Sequence, residues 1–180
     1  MAKIGIFFGT DSGTTRLIAK KIARKLGSDV CDMPLNINRT TLADMLKYDA
    51  LILGTPTYGE GQVPGRSTGA ENGSWAEFFP QLAAADLSTK RIAIYGLGDQ
   101  EKYPSRFVDA LFELYLQVKN RGAIVVGGWP TEGYQFAHSK ANINGQFVGL
   151  ALDQSTQSLL TDARLDSWLD MIKPALLESA

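Results

Sequence analysis

The sequence contains few of the residues on which several classes of protein depend. One cysteine, Cys31, among 180 residues excludes an internal disulfide and is typical of a reducing compartment. One histidine, His138, leaves no second histidine with which to build a metal site or a catalytic pair. Lys and Arg number 18 against 19 Asp and Glu, so the net charge of −1 gives no bulk attraction to nucleic acid or acidic lipid.

Long hydrophobic runs are also missing. No run approaches the length needed to span a bilayer, and Met1-Ala2-Lys3 leads into a short strand-like segment instead of a signal peptide. Hydrophobic residues make up 44% of the chain and charged residues 21%, which is typical of globular domains. We therefore expect a soluble, cytoplasmic protein in which residues 1–180 form a single domain.

Short apolar segments alternate with longer segments of helical period. The apolar segments are residues 4–8, 51–53, 92–95 and 124–126, with a weaker one at 30–35. Helical periods follow residue 14, and occur near Trp75, over 108–118 and over 165–176. Strands that are apolar throughout and alternate with helices indicate a parallel sheet covered on both faces. The pattern therefore predicts an α/β fold, chiefly the doubly wound three-layer sandwich.

One segment interrupts this alternation after the apolar run at 124–126. Residues 127–146 are rich in glycine and polar side chains, and a further apolar run follows at 147–152. Asn144-Gly145 within the segment is a hairpin signal. We interpret the segment as an inserted lobe that interrupts the last strand.

Ligands of open parallel sheets bind beyond the carboxyl ends of the strands, so the loops there carry most of the functional information. Residues 9–16, after the first strand, combine two glycines with hydroxyl side chains at the start of a helix. Such a loop can bind an anion through backbone N–H groups and the helix dipole. Thr14 replaces the lysine of a Walker A loop, which favours a phosphate monoester that is held and not transferred. An ordinary strand–turn–helix connection fits the same residues.

Two further loops each place one tyrosine at the same edge of the sheet. Tyr58 lies in the glycine-rich and proline-rich segment 54–65, and Tyr103 lies in segment 96–104. A loop tyrosine by itself usually just covers the core. Two of them beside a phosphate loop favour the two walls of a site for a flat ring system.

Taken together, these loops resemble those of the flavodoxin family. The first matches T-x-[ST]-G-x-T at residues 10–15, the second matches P-T-[aromatic]-x-x-G at 56–61, and the third matches G-x-G-D-Q…Y at 96–103. The interrupted last strand resembles the long-chain subgroup, whose T-[DE]-G-Y-x-F segment appears at residues 131–136. Residues 62–74 additionally resemble an extension in flavodoxins that serve nitrogen fixation.

The resemblance implies a flavodoxin-like three-layer αβα sandwich. Its five-stranded parallel sheet would have the order 2-1-3-4-5, with the fifth strand interrupted by the inserted lobe. The resemblance also implies non-covalently bound FMN. Residues 10–15 would hold the phosphate, Tyr103 and Tyr58 would cover the outer and inner ring faces, and Asp153 would approach the ribityl chain. The implied cofactor-binding residues are Thr10, Asp11, Ser12, Gly13, Thr14, Thr15, Pro56, Thr57, Tyr58, Gly59, Leu97, Gly98, Asp99, Tyr103 and Asp153.

The function implied by the resemblance is electron transfer and not enzymatic catalysis. The chain would be a low-potential one-electron carrier that cycles mainly between the FMN semiquinone and hydroquinone, with no catalytic or metal-binding residues. Its partners would be redox proteins: a reductase as donor and, from the resemblance of residues 62–74, nitrogenase reductase as acceptor. The chain itself would be a monomer that binds neither nucleic acid nor a membrane.

Two other functions remain open from the sequence. An NAD(P)H-dependent FMN quinone reductase has the same fold, but the sequence shows no second dinucleotide motif and the two tyrosines leave little room for a nicotinamide. A phosphate-binding or response-regulator-like module would lack flavin, but the acids expected directly after the first strand are absent.

The chain departs from many flavodoxins in charge. Its net charge is only −1, although residues 48–113 carry nine acids and five bases. Arg106 stands beside the third loop, where relatives often have Asn. Both features argue against a strongly acidic docking face and a very low potential.

Overall fold

The computed structural model describes residues 3–10 and 13–178. The strands and helices in chain order are β1 (Ile4–Phe8), α1 (Thr14–Leu26), β2 (Leu35–Asn36), α2 (Leu42–Leu46), β3 (Ala50–Pro56), α3 (Trp75–Leu82), β4 (Arg91–Leu97), α4 (Asp109–Lys119), β5 (Ile124–Val126), β6 (Trp129–Pro130), β7 (Asn142–Ile143), β8 (Gln146–Phe147), β9 (Leu150–Leu152) and α5 (Thr161–Leu177). Within these described ranges, no helix has the length and apolar character needed to cross a membrane.

The central sheet is parallel, with the order β2-β1-β3-β4-β5. β9 also pairs with β4 in parallel, next to residues 95–97, whereas β5 pairs with residues 91–93. β5 and β9 are thus two halves of one strand position. This confirms the predicted order and the interrupted fifth strand. Gly149 allows the chain to enter β9, because a Cβ atom there would lie 2.2 Å from the carbonyl oxygen of Ile94.

Helices cover both faces of the sheet, as its apolar strands require. The face covered by α3 and α4 has a core that includes Phe78, Leu111 and Leu114. The opposite face is covered by α1 and α5, whose apolar residues, among them Ile22 and Trp168, pack against the other side of the strands. β1 and β3 are buried along their whole length, which explains why they read as continuous apolar runs in the sequence.

The inserted lobe is a small antiparallel sheet with the order β6-β8-β7. Asn144 and Gly145, between β7 and β8, both have positive φ angles, of 54° and 86°, which is the conformation that the predicted hairpin turn requires. Aromatic side chains of the lobe pack around Phe107, with ring centroids 5.4 to 5.9 Å from it; they are Tyr134, Phe136 and Phe147. The lobe is therefore anchored to the segment that precedes α4.

The second strand is shorter than the apolar run at 30–35 predicts. Only Leu35–Asn36 form β2, and Cys31 makes an isolated bridge with Ile4. Between them lies Pro34, which has no N–H group to donate to a ladder. The edge position tolerates this loss because one side of the strand has no neighbour in the sheet.

Candidate cofactor-binding site

Three loops meet at the carboxyl edge of the central sheet. They follow β1, β3 and β4, which are parallel neighbours, so their ends emerge side by side. The described residues of the predicted site lie in these loops, at the last residues of β3 and β4 and in the first turn of α1, except Asp153, which follows β9 at the same edge. Asp11 and Ser12 lie outside the described residues.

The loop after β1 leads directly into the N-terminus of α1. Gly13 caps the helix with a φ angle of 93°, a conformation that side chains disfavour. Its N–H group donates a 2.8 Å hydrogen bond to the Oγ1 atom of Thr10, which closes the loop. The first turn of α1 is attached to the sheet, because the buried Tyr95 hydroxyl of β4 donates to the carbonyl oxygen of Thr15 at 3.0 Å. The positive end of the α1 dipole therefore lies at this edge of the sheet.

Two buried hydroxyl groups near this loop have no hydrogen-bond partner among the described residues. They are Oγ1 of Thr15, a residue 1% exposed, and Oγ of Ser74, a residue 2% exposed. An unsatisfied buried hydroxyl costs about 1–3 kcal/mol, so a ligand that accepts from both would recover this energy. A phosphate monoester offers several acceptor oxygens, and a helix N-terminus favours its charge. The residues present therefore fit a phosphate.

One cavity, of about 730 Å³, is lined in part by Thr10 and Arg16 beside the loop after β1. A second cavity, of about 220 Å³, lies between the loops that follow β3 and β4. Its lining includes both predicted tyrosines, Tyr58 and Tyr103, with Arg106 at its side. The complete lining is Thr57, Tyr58, Gly59, Gly98, Asp99, Tyr103 and Arg106. Tyr103 is 44% exposed, so its ring is available to a ligand instead of being committed to the core. The cavity fits a flat aromatic ring held between two loops.

The loop after β3 makes a tight turn. The N–H of Tyr58 donates to the carbonyl oxygen of Gln62 at 2.9 Å, and the N–H of Gln62 donates back at 2.7 Å. Within this turn, Gly59 has a φ angle of 48° and is exposed. Glycine is the residue that best tolerates this conformation and that can most easily leave it.

The loop after β4 is closed by Asp99. Its Oδ1 atom accepts hydrogen bonds from the N–H groups of Glu101 at 3.1 Å and Lys102 at 2.9 Å, and its carbonyl oxygen accepts from the N–H of Tyr103. Gly98 has no room for a side chain, because a Cβ atom would lie 3.0 Å from the backbone nitrogen of Val108. The position of Tyr103 is therefore determined by the turn before it.

Asp153 lies behind this loop, fully buried, and lines neither cavity. Its carboxylate accepts five hydrogen bonds, from N–H and side-chain groups of Gln100, Ser155 and Thr156. Burial alone would raise the pKa of Asp153, but these hydrogen bonds outweigh it and lower the pKa below its ordinary value of 3.8. Asp153 therefore links the loop after β4, through Gln100, to the segment after β9, through Ser155 and Thr156.

The inserted lobe also supports the loop after β4. The carbonyl oxygen of Pro104 accepts hydrogen bonds from the N–H groups of Ala137 at 2.7 Å and His138 at 2.9 Å. The side chain of Gln100 accepts from the N–H of Gln135 at 2.6 Å. The lobe thus braces both ends of the segment that carries Tyr103, a relation that sequence patterns did not reveal.

The fold brings three further residues to the site, of which only Arg106 was singled out in the sequence. Ser74 directly precedes α3, and its N–H donates to the Glu77 carboxylate at 2.9 Å. Glu60 and Arg106 form an ion pair that joins the loop after β3 to the loop after β4. The only sequence signal for this pair was the unusual position of Arg106, because pairing across two loops depends on the fold.

The arrangement suits the binding of a ligand. No group of three or more His, Cys, Asp or Glu side chains in ranges 3–10 and 13–178 is placed to hold a metal ion. A phosphate-binding loop beside an aromatic-lined cavity is instead suited to a ligand with a phosphate at one end and a flat ring at the other.

Known proteins resemble this chain over nearly its whole length. A flavodoxin of Klebsiella pneumoniae is 52% identical over 177 residues, covering 98% of this chain and 100% of the relative. Flavodoxin 1 of Escherichia coli strain K12 is 42% identical, with 98% and 96% covered. The crystal structure of Fusobacterium nucleatum flavodoxin bound to flavin mononucleotide matches with a TM-score of 0.87 at 31% identity, covering 98% of this chain and 99% of that one. The family model described as Flavodoxin matches residues 6–168, and with the three loops and the divided strand this shows that the chain belongs to the flavodoxin family.

Proposed function

We propose that this chain binds FMN non-covalently and carries single electrons between redox proteins in the cytoplasm. The observation that carries the proposal is the pairing of a phosphate-binding loop, with an unsatisfied buried hydroxyl at Thr15, and a ring-sized cavity between Tyr58 and Tyr103. Membership of the flavodoxin family supports it, since flavodoxins are electron-transfer proteins and not enzymes. The F. nucleatum relative was crystallised with flavin mononucleotide.

The phosphate end of FMN is assigned to the loop after β1 and the first turn of α1. Backbone N–H groups and hydroxyls there would bind the phosphate oxygens, and the dipole of α1 would stabilise their charge. The residues assigned to this end are Thr10, Asp11, Ser12, Gly13, Thr14 and Thr15. Thr14 stands at the position of the Walker A lysine, which agrees with a phosphate that is bound and not transferred.

The ring end is assigned to the 220 Å³ cavity. Tyr103 and Tyr58 would cover the two ring faces, and Pro56, Thr57, Gly59, Leu97, Gly98 and Asp99 would surround the ring edge. When bound, FMN supplies the ability to accept and release one electron at a time. Asp153 is assigned an indirect role: it holds Gln100 and thereby the loop that presents Tyr103.

A carrier is favoured over an NAD(P)H-dependent quinone reductase by the cavity itself. Both tyrosines border a space of about 220 Å³, so a ring bound between them would leave little room for a nicotinamide to stack on it. The two functions separate experimentally when the FMN-loaded chain is mixed with NAD(P)H and a quinone. We expect turnover no faster than with free FMN, and electron uptake only when a reductase protein is added. Rapid NAD(P)H oxidation by the chain alone would contradict the proposal.

Charge beside the ring provides a sharper prediction. The Arg106 guanidinium lines the cavity and pairs with Glu60. A unit charge about 10 Å away at an effective dielectric of about 20 contributes roughly 1.7 kcal/mol. This corresponds to at most roughly 70 mV for one electron, since about 59 mV is a tenfold change. Because both side chains are partly exposed, solvent screening reduces the effect.

Arg106→Gln is therefore expected to lower the midpoint potential of the more negative one-electron step, and Glu60→Gln is expected to raise it. Both potentials are measured by equilibrium titration at low salt, and the differences shrink at high salt. The two variants serve as matched controls for each other, because each breaks the same ion pair but removes charge of opposite sign. Shifts in the same direction would show that the ion pair acts through loop structure and not through charge.

As acceptor, we propose nitrogenase reductase, with docking through the segment of residues 62–74. The proposal is supported by the resemblance of that segment and by its exposed side chains, which include Arg66 and Glu71. Deleting the segment is a poor test, because Val63 and Ala70 are buried in the core. Reversing the exposed charges, as Arg66→Glu with Glu71→Lys, is expected to slow electron transfer to nitrogenase reductase several-fold. Transfer to a small inorganic oxidant is the control. Equal rates of transfer to nitrogenase reductase in both proteins would remove the reason for assigning this partner.

A further inference from the structure

Ser74 is a buried serine at the N-cap of α3, and its hydroxyl makes no hydrogen bond to the described residues. The residue is 2% exposed, and its Oγ atom has no hydrogen-bond partner within the described part of the chain. Its backbone N–H donates to the Glu77 carboxylate at 2.9 Å, and this hydrogen bond does not involve the hydroxyl. A buried hydroxyl without a partner points to a ligand.

The Ser74 hydroxyl lies directly against the phosphate-binding loop. A Cβ atom built on Gly9, the first residue of that loop, would lie 2.5 Å from the Ser74 Oγ atom. The neighbouring Trp75 is fixed there, because its Nε1 atom donates to the carbonyl oxygen of Gly54 at 2.8 Å. The N–H of Gly9 donates to the same carbonyl oxygen at 3.0 Å. The start of α3 and the start of the loop are thus tied to one atom of β3.

The same two segments also border one polar cavity, of about 730 Å³. Thr10 lines it from the loop after β1, and Gly73, the residue before Ser74, lines it from the segment that precedes α3. Arg16, Arg39 and Glu71 are the charged residues in its lining, so two basic side chains face one acidic side chain beside the phosphate-binding loop. Such surroundings favour an anion.

We propose that Ser74 is a further ligand of the FMN phosphate, donating a hydrogen bond from its Oγ–H to a phosphate oxygen. The phosphate would then be bound between two helix N-termini, that of α1 with Thr15 and that of α3 with Ser74. One ligand would satisfy both unpartnered hydroxyls at this edge of the sheet. This inference rests on the proposed FMN site, and it adds a binding residue from the segment that otherwise suggests only partner docking.

Ser74→Ala in the full-length chain tests the proposal, with affinity measured by flavin fluorescence during titration with FMN and with riboflavin, which lacks the phosphate. We expect FMN affinity to fall about tenfold, as for loss of a hydrogen bond to a charged group, while riboflavin affinity stays within about twofold. The flavin-free variant is expected to unfold at the same or a higher temperature, since it loses an unsatisfied buried group. The phosphorus NMR signal of bound FMN is expected to shift.

Two comparison variants separate the possible failures. Ser67→Ala changes an exposed serine of the same segment and is expected to leave both affinities unchanged. Thr15→Ala is expected to weaken FMN but not riboflavin, and if it does not, the proposed phosphate site itself is wrong. If Thr15→Ala has this effect and Ser74→Ala does not, the inference about Ser74 is overturned. Equal loss of FMN and riboflavin by Ser74→Ala, with an unshifted phosphorus signal, would also overturn it.

Discussion

Replacing Asp153 with alanine is expected to lower the free energy of unfolding by about 3 kcal/mol. The carboxylate is fully buried and accepts five hydrogen bonds, so its removal leaves the donors of Gln100 and Thr156 without an acceptor. The measurement is urea denaturation at pH 7 with a constant excess of FMN. Asp170→Ala, at an exposed position of α5, is the control and is expected to change stability by less than about 0.5 kcal/mol.

Acid should remove the same contribution. Because the pKa of Asp153 is lowered in the folded protein, ionised Asp153 stabilises the fold above its unfolded pKa, near 3.8, and this stabilisation is lost as the pH falls through the folded pKa. The stability difference between the unchanged chain and Asp153→Asn is therefore expected to be full above about pH 4 and to shrink below it. A difference that stays constant from pH 7 to pH 3 would contradict the assigned role.

The second large effect is expected at Gly59. Valine at this position must adopt a φ angle of 48°, which costs a β-branched residue about 1–3 kcal/mol. Gly59 lines the ring cavity, and its carbonyl oxygen would accept a hydrogen bond from a proton-bearing group of the bound ring after reduction if the Gly59 peptide rotates. Valine resists that rotation. Gly59→Val is therefore expected to reduce the yield of the one-electron-reduced form several-fold during a redox titration.

A matched variant separates strain from rotation. Gly59→Asn is compatible with positive φ and is not β-branched, so it is expected to retain most of the one-electron-reduced form. Stability and FMN affinity are measured for both variants, so that the yields are compared in folded, FMN-loaded protein. An unchanged yield in Gly59→Val would show that the rotation is not needed.

Much of the fold could be predicted because the strands of this sheet are buried on both sides. The runs at 4–8 and 51–53 lie in β1 and β3, and both strands are apolar throughout because helices cover each face. The interruption before β9 was visible because Asn144-Gly145 has turn chemistry that depends on two residues alone. β2 could not be read correctly, since an edge strand is specified by less burial and Pro34 limits its pairing.

Some residues of the candidate site could be placed from the sequence and others could not. Tyr58 and Tyr103 could be placed from the sequence because parallel strands end at one edge, and both line the ring cavity. The surroundings of Asp153 could not be predicted, because its partner Gln100 is 53 positions away and they meet only after β4 and β9 pair. Ser74 was hidden for another reason: a serine before a helix already has an explanation as a cap, so its unpartnered hydroxyl shows only in the structure.

The absorbance spectrum of the FMN-loaded chain during stepwise anaerobic reduction tests most directly whether this protein is a one-electron carrier. We predict a yellow protein that passes through a long-lived blue one-electron-reduced form before it bleaches. A direct change from yellow to colourless, with no radical signal, would contradict the carrier function and favour the two-electron reductase. A chain that takes up no flavin after incubation with FMN would contradict the cofactor site itself.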